Sequence, residues 1–261
     1  MALNKIFRPF FVNDLIRIGN RSDGGYIISK KIISLAENVI TFGLFDEFSF
    51  EKHIKNLKKN IKIICFDHTV GHFFWFKHFC KWIFFSIRYR SFELFKRSFT
   101  FLDYYYFFFK KAQHKKFKIV SDIKSKERNE TSLTEIINNL KIDTKKNILK
   151  IDIDLDEYKI LKDILKYEFL CIIVEFSYSN SHMKKIINFI KKNKNMRIIH
   201  IHGNNFHSPD KFNNPAHLEI TFANSEILKL SKKKSSETYP IKKLDFPCNS
   251  LKEDVPIFFK K

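Results

Sequence analysis

The stretch at 147–161 limits the possible folds more than any other. Residues 147–153 form an apolar run of strand length, and Asp152, Asp154, Asp156 and Glu157 crowd its end, just before an amphipathic helix expected over 158–167. Carboxylates beside isoleucines that must be buried are unfavourable unless something uses them. In an open α/β sheet, ligands bind in the crevice outside the carboxyl ends of the strands, so this strand end is the first candidate for chemistry. Asp154 and Asp156 also suit the start of the helix, since acids favour helix N-termini; Asp152 lies too far inside the strand for that reading.

The same alternation recurs along the chain. Residues 38–43 read as a strand ending in Gly43, 48–58 as a helix with Ser49 near its start, and 61–67 as a second strand ending in Asp67. Strand, glycine turn, helix, strand and acid make the opening βαβ unit of a nucleotide-binding sheet, in which the acid can accept hydrogen bonds from ribose hydroxyls. Further strands are expected at 117–120, near Asp122, at 170–176, with Glu175 at its end, and at 196–202 and 217–222. Helices are expected at 131–140 and 182–192, and Asn204 and Asn205 in a loop after His202. Upstream, Asp23-Gly24-Gly25 is a turn signal between two β-prone runs, so 1–37 reads as an N-terminal hairpin before one α/β domain at 38–261.

Residues 72–116 differ in kind. Much of the chain's store of 31 phenylalanines collects there among Lys, Arg and His at helical spacing, which reads as two helices inserted into the sheet connection. Such aromatics serve first as core and helix–helix contact. A basic aromatic face also suits a membrane surface, a sugar-binding wall or a dimer contact. The net charge of +20 is spread through Ile-, Asn- and Phe-rich sequence without a binding motif, which speaks against specific nucleic-acid recognition and leaves a phosphorylated or lipid-linked substrate as a partner. The four cysteines form no CxxC, so neither a zinc site nor a disulfide framework is expected, and no metal is assigned. No apolar run approaches the roughly 20 residues of a membrane span, and the N-terminus lacks a signal-peptide layout. A cytoplasmic protein is expected, peripheral to the inner face of the membrane if the aromatic face is used that way.

The ordered motifs resemble the FkbM-type S-adenosylmethionine-dependent methyltransferases, in the branch with a DGGY segment before the fold. They are Arg17-Ile18-Gly19, Asp23-Gly24-Gly25-Tyr26, Phe42-Gly43 with Ser49-Phe50-Glu51, Phe66-Asp67-His68-Thr69, 149–154 with Glu157-Tyr158, Glu175-Phe176, His200 through Asn205, Glu219-Ile220-Thr221-Phe222, and a tail at 244–259. The resemblance implies a doubly wound Rossmann-like class I methyltransferase sheet and an O-methyltransferase acting on a carbohydrate hydroxyl of a glycan or glycan precursor. It further implies cofactor contacts from Gly43, Asp46, Glu47, Ser49, Asp67 and Asp122, and substrate contacts from Asp23, Tyr26, Asn204 and Asn205. Acceptor chemistry would fall to Asp152, with Asp154, Glu175 or His202 as base. Three positions depart from the pattern: Phe45 and Leu155 stand where glycines are usual, and Ser177 where histidine is. Two readings follow, an active methyltransferase or a Rossmann-type module that has lost activity and binds a glycan or partner through its aromatic insertion.

Overall fold

The computed structural model describes residues 2–122, 127–210 and 214–260. The expected hairpin forms around Gly24, whose φ of +79° suits the turn: β1 (Leu15–Ile18) pairs antiparallel with β2 (Tyr26–Ser29). Ser29 caps α1 (Lys30–Leu35), accepting a hydrogen bond from Lys31 N. There follow β3 (Asn38–Phe42), α2 (Ser49–Leu57) and β4 (Lys62–Phe66), then α3 (His72–Tyr89), α4 (Phe92–Ser98), α5 (Thr100–Lys110) and β5 (Gln113–Lys115). The short strands β6 (Lys118–Val120) and β7 (Glu130–Ser132) lead into α6 (Leu133–Leu140) and β8 (Asn147–Ile151). The chain continues through α7 (Glu157–Ile164), β9 (Cys171–Phe176), α8 (Ser179–Lys192), β10 (Met196–Asn204), β11 (His217–Asn224) and α9 (Ser225–Leu228).

Seven strands make the central sheet, in the order β10-β11-β9-β8-β3-β4-β5. Strands β5, β4, β3, β8 and β9 run parallel, and β11 lies antiparallel to both β9 and β10. This is the doubly wound Rossmann-like α/β sheet that the sequence implied. Alternate residues of each strand feed two cores. Ile40, Phe42, Leu149 and Ile151 meet α6, α7 and α8 through Leu133, Ile160 and Ile186 on one face. Val39, Ile148, Ile63 and Cys65 meet the hairpin, α2, α3 and α5 on the other. The hairpin and the aromatic insertion therefore cover the same side of the sheet.

Three details differ from the sequence reading. The insertion holds three helices instead of two: Arg90 turns left-handed at φ +48° to end α3, and Ser91 restarts the chain by accepting from Leu94 N at 3.4 Å. The strand expected at 117–120 leaves the central sheet to pair with β7, and β5, within the expected insertion, takes the sheet edge beside β4. Finally, β10 continues through Gly203 and Asn204, which the sequence placed in a loop.

Candidate active site

Register builds the site. Phe42 pairs with Phe66 of β4 and with Ile151 of β8, and Ile151 pairs with Val174 of β9. The next residue on each strand, Gly43, Asp67, Asp152 and Glu175, therefore emerges side by side at the carboxyl edge, and all four line one crevice of about 520 Å³. Ligand pockets run roughly 300–1,000 Å³. Gly43 has a specific steric reason. At φ +83°, a Cβ there would fall 1.7 Å from the carbonyl oxygen of Asp152, so only glycine lets the two strand ends close.

One end of the crevice is the loop after β3. Asp67 ties it down: Oδ2 accepts from Leu44 N (2.9 Å) and Phe45 N (3.0 Å), and Oδ1 accepts from Thr69 N (2.7 Å) and Thr69 Oγ1 (2.6 Å). Burial would raise this carboxyl, but the four donors outweigh it and hold it below the usual range. A carboxylate has about four acceptor sites, so the chain itself occupies all of them. Burial likewise opposes ionisation of Asp46, and His78 Nε2 (3.0 Å) and Arg97 (3.2 Å) outweigh it, which binds this loop to the insertion. Glu47 accepts from Ser49 N (2.6 Å) and from the Asn20 amide (2.6 Å), and burial pushes its carboxyl up. Ser49 lies outside the crevice, its hydroxyl accepting from Asn20 N at 2.9 Å, so it joins α2 to the hairpin.

The two bulky replacements do not plug the crevice. Phe45, left-handed at φ +49° and 62% exposed, lines it edge-on to Phe74, with ring centroids 5.2 Å apart. Leu155, at φ +73° and 40% exposed, lies outside the lining. Phe66, Phe117 and Ile119 supply an apolar wall. Asp122, expected among the cofactor contacts, stands away from that wall. Because β6 leaves the sheet, its carboxylate accepts from Thr134 Oγ1 and Lys166 Nζ (2.6 Å each). Burial opposes the charge there, but Lys166, Ser132 and Thr134 outweigh it and lower the pKa.

The other end is a cluster of acids and polar groups. The Tyr26 hydroxyl donates to Asp152 Oδ2 at 3.2 Å from behind the lining, so Tyr26 positions Asp152 instead of touching a ligand. The Asn204 amide donates to Glu175 Oε1 at 3.2 Å, and His217 Nδ1 approaches the same oxygen at 3.3 Å. His207 stacks flat on His217, with centroids 4.4 Å apart. Burial, then the charges of Asp152, Glu219 and Asp23, push Glu175 well up. Burial also raises Asp152, against the opposing pull of Lys150. Asp23, brought in by the hairpin turn, is pushed up to about 7 by desolvation and by Glu219, Asp152 and Glu47. Its side chain is open to the crevice, where solvent screens those charges, so the upward direction is what matters. Asp154 lines the mouth, exposed, at φ +40°.

Two expected residues are scaffold. His202 is buried with Nδ1 2.9 Å from Glu219 Oε2 and Nε2 2.9 Å from Asp254 Oδ1. Burial disfavours the charged ring, yet Asp254 and Glu219 outweigh it and push it up to about 10, so this imidazolium cannot serve as a base near neutrality. Glu219 also accepts from Cys248 Sγ at 3.2 Å, so the three groups of metal-ligating type, which gather within 4.8 Å, form a hydrogen-bond chain joining β10, β11 and the tail. Asn205 likewise holds the tail, donating to the carbonyls of Asn249, Lys252 and Glu253 and accepting from Asn249 N.

Lys150 was not singled out in the sequence. It is 3% exposed on β8, lines the crevice, and lies 3.9 Å from Glu51 Oε1. Burial would lower its pKa, but Glu51 and Asp152 outweigh it, so it stays charged under the acid cluster. A lysine inside an apolar strand reads as simple alternation; its partner Glu51 comes from α2.

No family model and no curated protein matches this sequence. Among solved structures, the fold is similar to precorrin-6y C5,15-methyltransferase from Geobacter metallireducens, at 9% identity over 74% of this chain and 85% of that one, with a TM-score of 0.37. It is also similar to a putative rRNA-methylase from Clostridium thermocellum, at 10% identity over 74% and 91%, TM-score 0.40. A putative methyltransferase from Thermoplasma acidophilum aligns at 11% identity over 77% and 70%, TM-score 0.35.

Proposed function

We propose that this chain is an S-adenosylmethionine-dependent O-methyltransferase whose acceptor is a carbohydrate hydroxyl on a glycan or glycan precursor. The observation that carries the reading is the convergence of Gly43, Asp67 and Asp152 on one crevice at the carboxyl edge of the sheet. Charge supports it. On a chain of net charge +20, eight carboxylates and two lysines line the crevice, a setting that concentrates cations. When bound, S-adenosylmethionine supplies a methyl group on a positively charged sulfonium. Asp46 and Glu47 suit its cationic end, and the wall of Phe66, Phe117 and Ile119 suits its base.

The chain's own groups then have distinct tasks. Asp152 and Glu175, with the Asn204 amide, offer acceptors and donors for the hydroxyls of a sugar, and the stacked His207 and His217 give its ring a flat face. Asp23 takes the proton from the reacting hydroxyl, since a base near neutrality on the crevice wall meets the requirement for general base catalysis. Tyr26 orients Asp152, and Lys150 opposes the burial that raises its carboxyl. Calorimetry with S-adenosylmethionine tests the first half: saturable heat is expected. Labelled methyl transfer into fractionated cell-envelope precursors tests the second, with Asp152→Asn as the impaired control.

One observation favours the inactive module. Asp67, the expected ribose ligand, has its acceptor sites filled by the loop it would share with a cofactor, and Phe45 lies on that loop. A properly folded protein that gives no heat with S-adenosylmethionine decides for that second reading and against the enzyme.

A further inference from the structure

We propose that the outer face of the helical insertion docks this protein onto an anionic lipid bilayer. Helix α3 is apolar on two opposite sides. Its inner side buries Trp75 against Tyr104 and the sheet core. Its outer side carries Phe73, Phe76, Phe84 and Ile87, all exposed, Ile87 by 73%. With exposed Cys80 these positions fall within an arc of about 80°. Lys77, Lys81 and Arg88 follow along one edge of that arc, also exposed. Helix α5 repeats the pattern with Leu102, Tyr106 and Phe109, the last 81% exposed, followed by Lys110 and Lys111. The two helices touch where His72 stacks on Tyr105, with centroids 5.6 Å apart.

A helix apolar on both sides calls for a partner on each. The charge selects which one. Residues 72–111 hold eight Lys and Arg against two acids, and the cations lean over rings, Lys77 at 4.3 Å from the Phe73 centroid and Lys110 at 4.9 Å from that of Phe109. A second copy meeting this face would set like charges against each other, whereas anionic headgroups match the cations while acyl chains take up the rings. No helix of the described residues is long and apolar enough to cross a membrane, so the contact is interfacial. On its inner side the same helix holds the crevice loop, through Phe74 against Phe45 and His78 on Asp46. A bilayer under the insertion would therefore hold the helix that also braces the crevice loop.

Cosedimentation of the full chain tests this. The protein is expected to pellet with vesicles of phosphatidylcholine plus phosphatidylglycerol but not with phosphatidylcholine alone, and to be released severalfold by high salt. Reversing Lys77, Lys81 and Arg88 to Glu should weaken binding by at least roughly fivefold per charge. Phe76→Ser with Phe84→Ser should lose it about tenfold or more. Lys191→Glu with Lys192→Glu, on α8 against the other core, is expected to change little. Unchanged circular dichroism and unfolding midpoints keep folding out of the comparison. The proposal is overturned if the wild-type protein ignores anionic vesicles, or if the α8 pair weakens binding as much as the insertion variants do. It is also overturned by a dimer that Phe76→Ser with Phe84→Ser dissociates while vesicles are ignored.

Discussion

The crevice and the insertion are opposites built on one chain. The crevice gathers eight carboxylates against two lysines, and the insertion eight Lys and Arg against two acids. Three of the crevice acids, Asp67, Asp152 and Glu175, sit at strand ends fixed by the sheet register, where Asp67 is held by backbone donors and Asp152 by the buried Tyr26. The insertion's cations are mostly exposed and lean over rings. The overall charge of +20 therefore describes neither region, and what each can bind follows from its local sign and rigidity.

The largest effect should come from removing the carboxylate proposed as the base. Asp23→Asn is expected to slow methyl transfer by about 10²–10⁴-fold, read as kcat at saturating acceptor. Because desolvation and the neighbouring carboxylates raise Asp23, which must be ionised to accept a proton, wild-type activity should fall as pH drops through its raised pKa and level off above it. A variant with full activity, or an unchanged acid limb, would move the base elsewhere in the crevice.

The same substitution placed in both regions sharpens the contrast next. Gly43→Ala puts a Cβ 1.7 Å from the Asp152 carbonyl at a φ of +83° and should cost about 3 kcal/mol or more in urea unfolding, since the strand ends must part. Gly71→Ala, at the start of α3, meets only the tip of Lys116 at 3.1 Å from an extended φ of −159° and should cost less than about 1 kcal/mol. Equal losses would mean that the crevice edge yields as readily as the insertion.

Titration gives a third contrast. Glu157 is fully buried below the crevice, accepting from Ser177 N at 2.8 Å, and burial, ahead of the charges of Asp152 and Asp154, raises it to about 7 from its ordinary 4.5. The folded protein keeps this proton up to about 7 while the unfolded chain releases it near 4.5, so stability is lost as pH rises across that window, by up to about 3 kcal/mol. Glu157→Gln should flatten that slope. The insertion's acids, Glu93 and Asp103, are exposed, so no buried carboxyl of this kind underlies that region.

These contrasts also separate what the sequence revealed from what it hid. Gly43, Asp67, Asp152 and Glu175 were legible because each ends an apolar run, and a parallel sheet brings such ends together whatever their separation in sequence. The roles of His202 and Asn205 were not, because their partners Glu219, Asp254 and Asn249 come from a neighbouring strand and the tail. Asp122 misled because β6 has the composition of a sheet strand but pairs with β7, leaving the edge to Gln113–Lys115, whose polar sequence carries no strand signal. The break after α3 was hidden for a related reason: a left-handed Arg90 ends the helix where sequence offers neither glycine nor proline.

That left-handed arginine supplies the smallest test. Leu155 and Arg90 both hold positive φ, +73° beside the crevice and +48° in the insertion, and a left-handed residue other than glycine costs about 1–2 kcal/mol. Glycine relieves that strain while adding unfolded-chain entropy, so Leu155→Gly and Arg90→Gly should each stabilise by roughly 0.5–1 kcal/mol in denaturant melts. Their consequences for binding should part. Leu155 follows Asp154 in the turn that carries Asp152 toward α7, so relaxing it should shift the affinity for S-adenosylmethionine measured by calorimetry, whereas relaxing Arg90 should not. If neither substitution alters affinity, the strain beside the crevice is a passive trace of sequence drift; if only Leu155→Gly does, the bulky residue at that turn has been tuning the site.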